Sequence, residues 1–368
     1  MKIINYLSRI IIGLVFIFSG IVKAIDPLGT VYKFQDYFTA FNLTPLKDLS
    51  LLFAIILCLA EFISGFSVLF NIKIRFGIWI TMLLMIVFTP LTFVLALTNP
   101  VSDCGCFGDA IHLTNWQTFF KNLILLAPAI WLFINRQKIK SPIAAARSWS
   151  LLSITGVCFI AFLFYNLRYL PVIDFLPYST GTYIPGKMTI PEGKPLPEYE
   201  TTFIYEKEGQ QKEFSLTDYP ANDTTWKFVD SRSVLVSKGY TPPIHDFVFT
   251  YEGTDIAPMI LAAENYTLLM VARKLNPGNS EALVAGYNTG RFCMQNGIDF
   301  YVLSAQHESE SVVDISDLKL CGVDEITLKT MVRSDPGFLL LKNGTILHKW
   351  SWASLPENEE LLLLTNKN

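Results

Sequence analysis

Residues 49–70 read LSLLFAIILCLAEFISGFSVLF. Glu61 is the single charged side chain in this run. Its length matches the roughly 20 apolar residues that a helix needs to cross the hydrocarbon core of a bilayer. Four other stretches share its character: residues 4–24, 76–97, 116–134 and 149–165. The last is short, but Trp149 and Tyr165 stand at its ends, where interfacial aromatics belong. The fold class follows from these five runs: an α-helical transmembrane bundle of five helices. Composition agrees. Of the 368 residues 17% are charged, against about a quarter in soluble domains. The deficit is confined to residues 1–167, and beyond Arg168 the chain reads as an ordinary soluble domain.

Lys2 and Arg9 at the head of the first run could suggest a signal peptide. No small-x-small cleavage site follows, and four more apolar runs do, so the run is expected to be retained. The basic loops alternate. Lys73 and Arg75 mark one, and Arg136, Lys138, Lys140 and Arg147 mark another. Residues 98–115 hold Asp103 and Asp109 with no Lys or Arg, and residues 25–48 are near neutral. The positive-inside bias then predicts a cytoplasmic N-terminus and a soluble domain on the outer, periplasmic face. The aromatic stretch Val31, Tyr32, Phe34, Tyr37 and Phe38 has helix-like spacing, consistent with a segment lying at the interface or with a loop capping the bundle. A net charge of −3 with no basic patch excludes nucleic acid as a partner. Six scattered cysteines do not make a disulfide scaffold.

The sharpest chemical feature is Asp103-Cys104-Gly105-Cys106-Phe107-Gly108-Asp109, in the second outer loop. Two cysteines one residue apart can close a small strained disulfide, which is a labile electron acceptor. The same sulfurs can instead ligate a metal, with His112, Asp103 and Asp109 nearby, although zinc sites usually space their cysteines by two to four residues and add a second pair. A structural disulfide or inert thiols are the remaining readings. His112 is the nearest candidate base in sequence, and attack would need one of the thiols as a thiolate. Glu61 lies mid-span, where a carboxylate marks either function or a buried polar network. Cys58 shares its helix face, and Lys23 and Arg9 are its candidate partners. Pro90 should kink the third run, while Ser19-Gly20 and Ser64-Gly65 let helices approach closely.

Arg9, Gly13, Phe16, Ser19-Gly20, Lys23 and Asp26-Pro27 occur in order, then Glu61 with Gly65, then Cys104-Gly105-Cys106-Phe107-Gly108 between the third and fourth runs. With these, residues 1–135 resemble the DoxX family, and within it the MauE-like branch of four-helix membrane proteins. That branch is associated with maturation of methylamine dehydrogenase, a disulfide-rich periplasmic enzyme, alongside a thioredoxin-like partner. The resemblance implies thiol–disulfide or electron-transfer chemistry in a bacterial inner membrane. It does not imply methylamine as a substrate.

Residues 136–167 hold the cytoplasmic loop and the fifth helix. Residues 168–255 form a Pro-marked linker (Pro171, Pro177) and a β-rich region with strand-like 202–205 and 233–236. Residues 256–368 then give strand 266–272, helix 281–295 capped by Asn279-Ser280, strand 298–303, helix 324–332, strands 338–341 and 346–350 around Asn343-Gly344, and helix 358–365. That order resembles an α/β thioredoxin-like domain, and the resemblance implies a cis peptide before Pro336. The loop 273–280 lacks the family's Cys-x-x-Cys, so its redox activity does not carry over. Cys293 and Cys321 could pair or stay as buried thiols.

Two functions compete. In the first, Cys104 and Cys106 exchange electrons with the thiols or disulfides of an envelope protein, and the Glu61 region handles protons or adjoins a membrane carrier such as a quinone. In the second, the chain is a non-enzymatic anchor whose thioredoxin-like domain holds an envelope partner. A transporter has little support, since no inverted repeat is visible.

Overall fold

The computed structural model describes residues 2–101, 103–141, 144–220, 223–237, 239–275, 280–306 and 315–366. Its N-terminal half is α1 (Lys2–Ile25), α2 (Pro27–Ala40), α3 (Ser50–Phe70), α4 (Ile74–Thr98), α5 (Asn115–Asn135) and α6 (Ala145–Arg168). All but α2 are long and apolar enough to cross a membrane. Their outer faces carry side chains such as Ile124, 71% exposed, and Val157, 66% exposed. Only a hydrocarbon surrounding makes that surface favourable. The last crossing helix is longer than residues 149–165, because it extends through polar residues at both ends that an apolar window leaves out. Pro90 lies inside α4.

The aromatic stretch after α1 is a helix. Asp26 caps it, accepting from Gly29 N at 2.9 Å, and Pro27 occupies its first turn. Both positions favour helix initiation.

Helices α1 and α3 meet along a seam of small residues. A Cβ added to Gly20 would lie 2.8 Å from Phe62 N, one on Gly65 would lie 2.7 Å from Ile17 N, and one on Gly13 would lie 2.6 Å from Leu69 Cβ. Close backbone approach of this kind drives helix association where lipid removes the hydrophobic term. Gly20→Val should therefore force the helices apart and cost about 1–3 kcal/mol. A lowered thermal midpoint in detergent would register it, and an unchanged midpoint would mean that the seam can spread freely. Helix α6 packs on α1 and α3, with Phe159 stacked on Phe62 at 4.1 Å between centroids.

After α6 the chain docks onto the C-terminal domain. Lys349 donates to Asp174 at 2.6 Å, and Leu176 and Tyr178 are buried. A short helix α7 (Ile184–Met188) precedes an antiparallel sheet of β1 (Glu198–Lys207), β2 (Gln210–Ser215) and β3 (Lys227–Ser237), in the order β2-β1-β3. The rest comprises β4 (Thr250–Tyr251), β5 (Thr254–Asp255), α8 (Ala257–Ala262), β6 (Thr267–Val271), α9 (Ser280–Gln295), β7 (Asp299–Ser304), β8 (Leu320–Gly322), α10 (Glu325–Met331), β9 (Gly337–Lys342), β10 (Thr345–Ser351) and α11 (Asn358–Asn366). These strands make a mixed sheet in the order β10-β9-β6-β7-β8-β4-β5. Strand β6 runs parallel to β7 and antiparallel to β9.

The two-residue period of the central strands divides the core. Leu269, Val271, Tyr301, Leu303, Leu339 and Leu341 face one side, with Ile260, Leu328 and Met331 from the helices. Leu268, Met270, Phe300, Val302, Phe338 and Leu340 face the other, against Leu283, Tyr287 and Leu361. Helices therefore cover both faces, which explains why these strands read as continuous apolar runs. The β9–β10 turn has positive φ at Asn343 and Gly344, the geometry that Asn-Gly favours. The peptide between Asp335 and Pro336 is cis.

Strands β4, β5 and β8 are two or three residues long and had no sequence signal. Cys321 lies on β8, in one core, while Cys293 on α9 lies in the other, and both are free thiols. The cap expected from Asn279 and Ser280 falls outside the described side chains, as do residues 276–279 of the loop that lacks cysteine.

Candidate functional site: a thiol pair above a buried ion pair

The loop between α4 and α5 folds back onto α1, α2 and α5. Gly105 and Gly108 have φ of +64° and +52°, a conformation that costs glycine little. Each flank is tied down. Lys33 donates to Asp103 at 2.8 Å, and Tyr37 Oη donates to the Cys104 carbonyl at 2.6 Å. Ser19 Oγ donates to the Cys106 carbonyl at 2.8 Å. The Phe107 ring meets Phe18 edge-on at 5.4 Å, and Lys121 Nζ stands 4.4 Å from the Phe107 centroid. The anchors come from α1, α2 and α5, so the bundle holds the loop in addition to its own turn bonds, such as Gly105 N to Asp103 Oδ1 at 2.9 Å and Gly108 N to the Gly105 carbonyl at 3.0 Å.

Beneath the loop, Lys23 Nζ donates to Glu61 at 2.8 and 3.1 Å, to Ser19 Oγ at 2.6 Å, and to the Cys106 carbonyl. Lys23 is 3% and Glu61 8% exposed. A buried charge persists only when it is paired and hydrogen-bonded, and this pair meets both conditions. Of the two candidate partners of Glu61, Arg9 instead donates to the carbonyls of Val68 and Leu69. Its guanidinium caps the end of α3, and Lys23 takes the carboxylate.

The two sulfurs lie 3.1 Å apart as free thiols, Cys104 buried and Cys106 half-buried. Their surroundings separate them. The Cys106 thiol is lowered to about 6, first by the hydrogen bond from Cys104, then against burial by the charges of Lys121 and Lys23. The Cys104 thiol is pushed up by that same hydrogen bond and by burial. The arrangement can present Cys106 as a thiolate near neutral pH, with Cys104 as the protonated partner one residue away.

Cys104, Cys106, Lys23 and Glu61 all line one cavity of about 90 Å³ inside the bundle. His112 is exposed and does not line it. Among the described residues, no group of three His, Cys, Asp or Glu side chains is placed to hold a metal ion. The triad of Cys104, Cys106 and His112 is thus not assembled. Cys58, on the same face of α3 as Glu61, is buried against Ala24, Phe159 and Leu163.

The C-terminal domain sits at the same end of the bundle. Arg333 Nε donates to Asp26 Oδ2 at 2.8 Å and Nη2 donates to Asp109 Oδ2 at 2.5 Å. Asp109 is the last residue of the cysteine loop motif, and Asp26 caps α2. Burial pushes the Asp26 carboxyl up, and the Arg333 guanidinium opposes that rise. Above them the Tyr32 ring faces Lys329, Arg333 and Arg273 at 5.1, 5.2 and 5.5 Å. Arg333 and Lys121 carried no sequence signal of their own, and Tyr32 and Tyr37 stood out only as members of the aromatic stretch. Asp26 did stand in the ordered motif set, and Asp109 closed the cysteine-loop stretch.

Residues 1–135 match the family model described as Methylamine utilisation protein MauE. Residues 199–238, the antiparallel sheet and its surroundings, match one described as Domain of unknown function (DUF8463). No curated protein matches the chain.

Proposed function

We propose that this membrane protein exchanges electrons between thiols and disulfides through Cys104 and Cys106, in support of the maturation of envelope proteins. The observation that carries the reading is the asymmetric thiol pair. Cys106 is activated by a hydrogen bond and two cations, and Cys104 stands in contact to resolve the mixed disulfide. The step balances without a further group. Cys106 Sγ attacks a partner disulfide, one partner sulfur leaves as a thiolate, and Cys104 then attacks Cys106 Sγ. The partner leaves as a dithiol, and a Cys104–Cys106 disulfide remains. The family match over residues 1–135 supports the same direction.

The basic loops at Lys73–Arg75 and Arg136–Arg147 lie in the connections opposite the cysteine loop, which supports a cytoplasmic N-terminus and an outward C-terminal domain in a bacterial inner membrane. In this reading residues 1–135 are the reacting bundle, residues 136–167 return the chain to the outer face, and residues 168–368 are the envelope portion. Its domain from residue 256 onward has no dithiol at the place where a thioredoxin would carry one. It acts by position, held to Asp26 and Asp109 over the loop.

Thiol trapping in intact membranes tests the proposal. An alkylating tag added after acid quench should find Cys104 and Cys106 partly oxidised in growing cells, and Cys104→Ser should accumulate a mixed disulfide with another envelope protein. A pair that stays fully reduced, with no adduct in the variant, would leave the chain a binding anchor.

A further inference from the structure

At the end of the bundle opposite the thiols, the turn between α3 and α4 lies against the loop between α5 and α6. Asn71 Nδ2 donates to the Lys140 carbonyl at 3.0 Å, and Ser141 Oγ donates to the Asn71 carbonyl at 2.7 Å. Arg75 Nη2 donates to the Gln137 carbonyl at 3.3 Å. These bonds hold the two connections around an open pocket of about 520 Å³. Lys73, Arg75 and Lys140 line it, with Ile74, Phe76 and Ile139 as its apolar wall. The elements that build the pocket supply no carboxylate to these cations. No Asp or Glu occurs in residues 62–102 or 110–168, which hold both connections and all of α4, α5 and α6. Glu61, the one acid of α3, is taken by Lys23 in mid-span. Like charges gathered without a counter-charge repel one another, so the pocket favours an anion.

Aromatic rings mark the depth of the pocket in the bilayer. Phe76 meets Trp149 edge-on at 5.5 Å, and Lys73 Nζ stands 5.0 Å from the Trp149 centroid. Arg136 packs over Phe133 at 4.1 Å and over Trp79 at 5.3 Å. Phe76, Trp79 and Trp149 are all exposed on the outside of the bundle. Exposed tryptophans beside cations belong at the headgroup level of a membrane. Lys73, Arg75 and Lys140 therefore lie where lipid phosphates lie. A guanidinium fork and two ammoniums match phosphate oxygens. A zwitterionic lipid would bring its own cation into a pocket that already holds three, whereas an anionic lipid would not.

We infer that this pocket binds the headgroup phosphate of an anionic glycerophospholipid from the leaflet at that end of the bundle. The lipid neutralises Lys73, Arg75 and Lys140 and ties the α3–α4 turn to the α5–α6 loop. Its acyl chains lie along the apolar surface beside Phe76 and Trp149. A soluble phosphate offers the same oxygens but nothing for the wall of Ile74, Phe76 and Ile139, so the occupant is the lipid. With the basic loops on the cytoplasmic side, that lipid belongs to the inner leaflet. The inference is independent of the thiol-exchange reading, since no residue of the pocket touches the cysteine loop.

The full chain in a neutral detergent should be titrated with phosphatidylglycerol and, separately, with phosphatidylcholine of the same acyl chains, while its thermal midpoint is followed. Phosphatidylglycerol should raise the midpoint saturably, because a ligand that binds only the folded state stabilises it. Phosphatidylcholine and glycerol phosphate should leave it in place. Arg75→Gln combined with Lys140→Gln should raise the half-saturating concentration of phosphatidylglycerol at least about tenfold, since each cation beside an anionic headgroup is worth about fivefold. Lys138→Gln combined with Arg147→Gln removes two neighbouring cations that do not line the pocket, and should change that concentration by less than about twofold. The lipid site is overturned if both lipids raise the midpoint equally, or if glycerol phosphate alone saturates the effect. It is also overturned if the two double variants weaken binding alike, which is diffuse attraction to a basic surface. Should Arg75→Gln with Lys140→Gln fail to fold, the comparison of lipids on the wild-type chain decides by itself. Loss of the lipid site would leave the reaction of Cys106 with disulfides as it is, so the two readings fail separately.

Discussion

Replacing Cys106 with Ser is expected to slow reaction with a soluble disulfide by at least about 100-fold, because a hydroxyl at neutral pH supplies no comparable nucleophile. Cys104→Ser should behave differently. Cys106 would still attack, the resolving thiol would be missing, and a mixed disulfide would persist on Cys106 long enough to isolate by mass. If the two substitutions give the same phenotype, the assignment of roles is wrong. The pH dependence adds a second check. Cys106 is lowered to about 6, so its thiolate fills as pH rises through that value. Below it the rate should fall by about tenfold per pH unit, and above it the rate should level off. The same value has a consequence for stability. A thiol whose folded value is depressed contributes stability that is fully present above the unfolded value of about 8.5 and is lost as pH falls through about 6. Cys106→Ser should flatten that part of the stability curve, as read from thermal midpoints across pH.

The second large effect is expected at Arg333. Its guanidinium bridges Asp26 and Asp109, and it is 5% exposed. Arg333→Met would leave the buried Asp26 carboxylate facing the half-buried Asp109 carboxylate with no cation between them. Breaking a buried pair from one side costs about 3–5 kcal/mol. The loss should fall on the junction rather than on either core, since the apolar clusters of the bundle and of the sheet share no residue. Proteolysis should then cut sooner within residues 169–178, and alkylation of Cys106 should quicken as the loop loses its hold on Asp109. Combining Arg333→Met with Asp26→Asn and Asp109→Asn removes the stranded charges and should recover most of the stability. Failure to recover would mean that the arginine acts through its packing on Tyr32 instead. Should single Arg333→Met change neither cutting nor alkylation, the junction does not depend on this clasp.

The five crossing helices were legible because hydrocarbon imposes one rule on each of them independently. Every backbone group must bond within the segment, and the outer side chains must be apolar. Residues 49–70 announce that by composition alone. The strands of the sheet were legible for a related reason, since β6, β7 and β9 are covered on both faces and read as apolar runs. Strands β4, β5 and β8 escaped notice because strands of two or three residues have no period to detect. Their pairing comes from the neighbour they join, not from their own side chains. α2 was half legible: its aromatic spacing suggested a helix, and only Asp26 with Pro27 shows where it starts.

The site divides in the same way. Cys104, Cys106 and Glu61 stood out because each is expensive or reactive where it lies, a property that belongs to a residue and its segment. Lys23 was a candidate for Glu61 by helix position. His112 was chosen by nearness in sequence, and it lies exposed, outside the cavity that the two cysteines line. Which thiol is the more acidic depends first on the hydrogen bond between them, then on Lys121, a helix away, and on Lys23 below. The link between the C-terminal domain and the loop depends on Arg333, 224 residues from Asp109. Sequence alone therefore determined that the chain has five helices fit to cross a membrane, and where its candidate groups lie along them. The tertiary structure decided which of those groups meet, because a charge or thiol takes its chemistry from neighbours within a few ångströms, and those neighbours come from helices and strands that no local pattern brings together.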